Sequence, residues 1–135
     1  PQALEARRAA ACRIITAAMM AHPEMVGGPE RFDTLLMQVG AGKIVVKGGA
    51  EGYQAVGLMP GAIAPDSPGI GIAIKISDGD PSDRARTGTA LALLRALGAL
   101  NEAQLAQMSS FGPKKELINY RKLHVGDSRP AFTLE

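Results

Sequence analysis

Apolar residues recur at helical spacing over the first part of the chain. Ala11, Ile14, Ile15, Ala18 and Met19 fall on one face, and Arg7, Arg8 and Arg13 supply a polar side. The pattern predicts a helix over residues 2–21. His22-Pro23 stops it, because the residue before a proline is pushed out of the helical region. Gly27-Gly28 breaks the chain, and Pro29 suits the first turn of a shorter helix. Phe32, Leu35, Leu36 and Val39 form the apolar stripe of that helix, which Gly40-Ala41-Gly42 closes.

The period then shortens. Lys43 to Lys47 is β-branched and reads as a strand, and Tyr53 to Leu58 follows after a glycine-rich step. Met59 to Pro68 holds three prolines and a glycine, which marks a loop. From Gly69 to Ile76 the alternation is strict. Ile70, Ile72, Ile74 and Ile76 share one face, and Gly71, Ala73 and Lys75 share the other, small enough for a helix to approach. Asp80-Pro81-Ser82-Asp83 reads as the start of a helix, with Asp80 as N-cap and Pro81 at the first helical position. Ala90, Leu93, Leu94 and Leu97 are its buried stripe, and Gly98 its C-terminal cap. Asn101 with Gln104 predicts a capping box opening one more short helix. After Phe111-Gly112-Pro113, residues 114–135 read as a polar, irregular tail.

Three consecutive strands with short connections imply an antiparallel meander. Helices on either side make the fold class α+β. Residues 1–135 fit a single domain or a fragment of a longer protein. Pro1 at the start reads as a cut end, and Leu134-Glu135 as either native residues or a cloning remnant, so a longer natural protein is expected.

Composition narrows the function classes. Hydrophobic content of 46% with 21% charged residues is globular, and with aromatics at 4% and no Trp the core falls to aliphatic side chains. The net charge of +2 is spread in mixed sign, without the basic stripe that a nucleic-acid partner requires. No apolar run approaches the roughly 20 residues of a membrane helix. A lone Cys12 forms no internal disulfide, and the expected compartment is the cytoplasm.

The candidate chemistry centres on Lys47-Gly48-Gly49-Ala50-Glu51-Gly52. A lysine at a strand end presents an ammonium beside bare backbone, and Gly48 and Gly49 admit a ligand close to the main chain. The Ala50 N–H suits an oxyanion, and the Glu51 carboxylate suits an amine or a pairing with Lys47. Taken alone, the hexapeptide also reads as a hairpin turn with a solvated lysine. His22 and Glu24 are close enough for acid–base chemistry, although His-Pro more often marks a helix stop. His124 falls in the polar tail and faces solvent, and the two histidines lack metal-ligand spacing. Cys12, among alanines in mid-helix, reads as a small core residue. Asp78-Gly79-Asp80 offers too few oxygens for a calcium loop and reads as a turn and cap. Lys75 lines a site or reaches solvent.

Four segments, in this order and spacing, resemble the C-terminal part of the bacterial asparaginase II family. They are Ala21-His22-Pro23-Glu24-Met25-Val26-Gly27-Gly28, Arg31-Phe32-Asp33-Thr34, Lys47 to Gly52, and Gly71 to Asp80. The resemblance covers roughly residues 1–130. It implies a fold like that of serine β-lactamases and glutaminases, and hydrolysis of L-asparagine to aspartate and ammonia. In such enzymes an S-x-x-K element carries the serine nucleophile and a lysine base. A second lysine faces them from a K-[ST]-G strand. By resemblance Lys47 is that catalytic lysine, and Gly48, Gly49, Ala50 and Glu51 bind substrate, with Ala50 as the oxyanion donor. Gly48 stands where related enzymes carry a hydroxyl.

No S-x-x-K occurs in these residues, and the family's cysteine-containing metal segments are missing. The expectation is therefore an enzyme part that contributes one wall of an active site and is inactive alone. No cofactor is expected in this chain, and any metal would belong to the rest of the full-length protein. The partners expected are a small-molecule amide substrate and a second copy of the chain, because a fragment leaves apolar surface uncovered. Neither nucleic acid nor membrane is expected. The alternative is a non-catalytic α+β binding or interaction module.

Overall fold

The computed structural model describes residues 2–81 and 83–134, with side chains from residue 5 onward. Pro1, Ser82 and Glu135 lie outside the described residues, and with them part of the expected helix start and both chain ends. The elements run α1 (Gln2–Ala21), α2 (Pro23–Gly27), α3 (Phe32–Val39), β1 (Ile44–Gly49), β2 (Tyr53–Leu58), β3 (Ile70–Lys75), α4 (Arg86–Ala96), α5 (Glu102–Gln107), β4 (Lys115–Ile118) and β5 (His124–Ser128). A 3-10 turn, Ser109–Phe111, joins α5 to the last two strands. The class is α+β, as the patterning implies.

Strands β1, β2 and β3 form an antiparallel meander in that order. The register aligns Ile44 with Leu58, Val46 with Val56 and Gly48 with Gln54, and then Val56 with Ile72 and Gln54 with Ile74. These residues share one face because side chains alternate along a strand. That face meets Leu36 and Met37 of α3, Leu91 and Leu94 of α4, and Leu105 and Met108 at the end of α5 in one buried cluster. The isoleucines of β3 therefore point at the helices. Gly71, Ala73 and Lys75 are exposed on the other face, contrary to the expectation that a helix would use the small side. Leucine stripes gain most by burial against large aliphatic neighbours.

Helix α1 departs furthest from its amphipathic reading. Met19 and Met20 pack against the core, but Ile14 is 70% and Ile15 57% exposed. Cys12 is exposed rather than a core residue, since only the C-terminal end of α1 reaches the body of the protein.

Two helix starts also differ from the pattern. Pro23, rather than Pro29, opens a helix, because a proline that stops α1 also suits the first position of α2. Helix α3 then begins at Phe32 with Arg31 as N-cap. Helix α4 begins at Arg86 rather than Pro81. Asp80 still caps it, but from a distance. Its buried carboxylate accepts the backbone N–H groups of Arg84 at 2.8 Å, Ala85 at 3.0 Å and Arg86 at 2.9 Å, and the chain loops around it.

The C-terminal signals hold. Gly98, at φ +72°, donates to the Arg95 carbonyl and Ala99 donates to Leu94, a Schellman closure of α4. Asn101 and Gln104 form both halves of the capping box, and the Gln104 amide also reaches the Val39 carbonyl at 2.9 Å.

The segment expected to be irregular forms an antiparallel hairpin of β4 and β5. Its residues are mostly exposed, so no apolar alternation announced it. Across it Lys114 pairs with Asp127 at 3.0 Å, and within β5 His124 meets the same carboxylate at 3.0 Å. The hydrogen bond from His124, followed by that from Lys114, holds the Asp127 carboxyl below the usual aspartate range. His124 is exposed.

Candidate functional site

The hairpin between β1 and β2 is only Ala50-Glu51-Gly52, and it turns at the rim of a cleft of about 690 Å3. The five residues that the resemblance assigns to the site, Lys47, Gly48, Gly49, Ala50 and Glu51, line this cleft. The opposite walls come from Glu30, Arg31, Phe32 and Asp33 at the start of α3, and from Asp80, Pro81, Asp83 and Arg86 around the start of α4. Phe32 and Phe111 meet edge to face at 5.4 Å and supply its aromatic lining.

Gly52 fixes the turn. It sits at φ +67°, and a Cβ there would come within 2.9 Å of the Gly79 backbone. Only glycine satisfies both the left-handed backbone and the close approach. The Gly52 carbonyl accepts the Ile76 N–H at 2.9 Å, so the turn is tied to the end of β3.

Asp33 was part of a matched segment but carried no role in the sequence reading. It is buried, and its carboxylate accepts the Gly48 N–H at 2.6 Å and the Gln54 amide at 3.1 Å. Helix α3 thus grips β1 at the middle of the candidate motif. The neighbouring Thr34 hydroxyl lies 2.6 Å from the Gly28 carbonyl and 3.1 Å from that of Pro23, which anchors the preceding loop to the same helix.

Lys47 is exposed, and its ammonium donates to the Gly48 carbonyl at 2.6 Å. It does not pair with Glu51 among the described residues. The Glu51 carbonyl instead accepts the Lys75 ammonium, so Lys75 braces the turn from the small face of β3. His22 and Glu24 are 3.8 Å apart but exposed and away from the cleft lining. Asp78 does form a turn: its side chain accepts the Asp80 N–H at 3.0 Å.

Arg86, absent from the sequence reading, is the partly buried cation of the cleft; Lys47 and Arg31 are exposed. Its Nε donates to Asp83 Oδ1 at 3.1 Å, and Nη1 lies 3.4 Å from the Tyr53 carbonyl. A Cβ on Gly48 would lie 2.7 Å from Nη1 and 3.4 Å from Asp33 Oδ2, so Gly48 makes room for the guanidinium. The Asp83 loop is fastened from behind. Lys115 of β4 donates to the Asp83 carbonyl at 2.7 Å and to the Thr87 hydroxyl at 3.0 Å, and that hydroxyl donates to the Phe111 carbonyl.

The cleft therefore carries cations and carboxylates on facing walls. Such a lining suits a small zwitterion better than an apolar ligand. Burial works against ionisation of Asp80, but the N–H groups of Arg86, Ala85 and Arg84 and the Arg84 charge outweigh it, and its carboxyl is held below the usual range. Among the described residues no three His, Cys, Asp or Glu side chains are grouped as a metal ion would need. No described helix is long and apolar enough to cross a membrane. The family model of L-asparaginase II matches residues 1–130. No curated protein matches the chain.

Proposed function

The chain belongs to the L-asparaginase II family, and we propose that it supplies the second-lysine wall of an amidohydrolase active site of the serine β-lactamase type. The reaction is hydrolysis of L-asparagine to L-aspartate and ammonia. The observation that carries this reading is the convergence of Lys47 to Gly52 on one polar cleft, within a chain matched by the family over nearly its whole length.

In this reading a serine and its lysine base enter from outside these 135 residues, since no S-x-x-K is present. The serine attacks the side-chain amide carbon, ammonia leaves, and water releases aspartate from the acyl-enzyme. Lys47 keeps two ammonium protons free of its Gly48 contact, and these polarise the amide or relay a proton to the leaving nitrogen. The Ala50 N–H faces the developing oxyanion. Gly48 and Gly49 let substrate lie against the strand, and the Glu51 carboxylate receives the α-ammonium. With Gly48 in place of a hydroxyl, proton relay along the strand falls to Lys47 alone.

Ammonia release from L-asparagine, measured on this chain and on the longer protein that contains it, tests the reading. The longer protein is expected to be active and the 135-residue chain silent. Lys47→Ala in the longer protein is expected to lower kcat by roughly 100-fold or more. Turnover by the short chain, or an active longer protein indifferent to Lys47, would remove the proposal.

The same reading accounts for the uncovered α1 stripe, which we assign to self-association of the isolated chain. Its single exposed thiol fits a reducing, cytoplasmic setting.

A further inference from the structure

The geometry points to Arg86 as the residue that binds the α-carboxylate of the substrate and so restricts the site to free amino acids. This inference rests on the amidohydrolase reading and names the group that recognises its substrate.

A guanidinium has five N–H donors in a planar fork that matches a carboxylate. Two of the five in Arg86 have acceptors among the described residues: Nε on Asp83 at 3.1 Å, and Nη1 on the Tyr53 carbonyl at 3.4 Å. The second contact is long, and its donor is readily given up to a better acceptor. Arg86 lines the cleft beside Gly48, and its side chain is partly buried, while Arg31 and Lys47, whose side chain alternates to the opposite face of β1, are exposed. A charge partly withdrawn from water binds its counter-ion more strongly than a solvated one.

The arginine is also held in advance. Asp83 fixes its Nε, and Lys115 fixes Asp83 through the main chain. Gly48 clears its path, because any side chain there starts 2.7 Å from Nη1. The position that a Cβ on Gly48 would take is also 3.5 Å from Gln54 Oε1, a fully buried acceptor with no hydrogen-bond partner among the described residues. The Asp83 hydrogen bond, itself fastened by Lys115, and the space left by Gly48 thus keep one guanidinium at the foot of the proposed catalytic strand.

Steady-state kinetics on the full protein test this with L-asparagine and its α-methyl ester. The wild-type protein is expected to show a KM for the ester raised roughly 10- to 100-fold over the free amino acid, the range of a charged hydrogen-bond pair. Arg86→Gln is expected to raise the KM for L-asparagine by a similar factor, leave kcat within a few-fold, and erase the difference between acid and ester. Arg86→Lys is expected to recover part of the lost affinity. If the glutamine variant does not fold, the wild-type acid-to-ester comparison and the lysine variant carry the test. Equal KM values for acid and ester in the wild type, or an equal KM increase for both in the variant, would overturn the assignment.

Calorimetric binding of L-aspartate separates the two readings. If the protein hydrolyses no amide but binds L-aspartate in an Arg86-dependent way, the amidohydrolase reading fails and the carboxylate site stands. If it hydrolyses L-asparagine and Arg86→Gln leaves both KM and L-aspartate affinity unchanged, the reverse holds.

Discussion

Asp33 and Gly48 are joined by a 2.6 Å hydrogen bond from the backbone of β1 to the carboxylate of α3. The same carboxylate holds the Gln54 amide, so one buried acid connects a helix to two neighbouring strands. Removing it strands a buried donor on Gln54 and a partly buried one on Gly48. Asp33→Ala is expected to cost about 2–4 kcal/mol, each orphaned donor contributing about 1–3 kcal/mol less what relaxation recovers. Chemical denaturation measures it. A loss below 0.5 kcal/mol, the order of a plain surface change, would show that the link does not hold β1 in place.

Asp80 makes stability depend on acid. Its folded pKa is lowered despite burial, by three backbone donors and Arg84, so its contribution is complete above the ordinary aspartate pKa of about 3.9. The contribution is lost as pH falls through the lowered folded value. Asp80→Ala is expected to cost about 2 kcal/mol at neutral pH, and the gap from the wild type should close progressively in acid. Urea midpoints for both proteins between neutral pH and pH ~3 read this directly. A pH-independent gap would assign the effect to packing rather than to the charge.

Gly52→Ala is expected to destabilise by about 1–3 kcal/mol from backbone strain alone, and by more from contact with the Gly79 backbone, 2.9 Å from the added carbon. The hairpin carries Ala50 and Glu51, so in the full protein the variant should lose kcat beyond what its stability predicts. Thermal unfolding together with turnover, measured below the melting range, distinguishes the two effects.

Gly48→Ser places its new carbon beside the end of a flexible arginine rather than against backbone. The fold is expected to survive within about 1–2 kcal/mol, since Arg86 can swing away. Substrate affinity is expected to fall with it. A raised KM with a nearly unchanged melting temperature is the predicted signature.

The exposed Ile14 and Ile15 predict concentration-dependent association of the 135-residue chain. Ile14→Lys with Ile15→Lys should shift sedimentation toward monomer without loss of secondary structure, because neither side chain is in the core. A monomer at all concentrations in the unmodified chain would rule the association out.

Local signals carried most of the fold into the sequence. The Ile70 to Ile76 alternation, the Asn101 capping box and Gly98 each act through their own few residues, and each was readable. Features set by distant partners were not. The exposure of Cys12 depends on what α1 meets. The β4–β5 hairpin rests on polar contacts that leave no apolar period. The hexapeptide was legible only in company with the other matched segments, because a lysine followed by two glycines reads by itself as a hairpin turn. Asp33 and Arg86 were not, since a buried acid and a helix-start arginine look ordinary until the fold brings them to Gly48. A matched segment, Arg31 to Thr34, marked Asp33 without explaining it.

The Lys115 contacts to Asp83 and Thr87 place a demand on a stretch that otherwise has few. Saturation mutagenesis across residues 114–128 should find broad tolerance in this hairpin, with position 115 as an exception that even arginine fills poorly. Selection for activity at the cleft would then be visible at position 115 of this surface ribbon, apart from the Asp127 links that hold the hairpin itself.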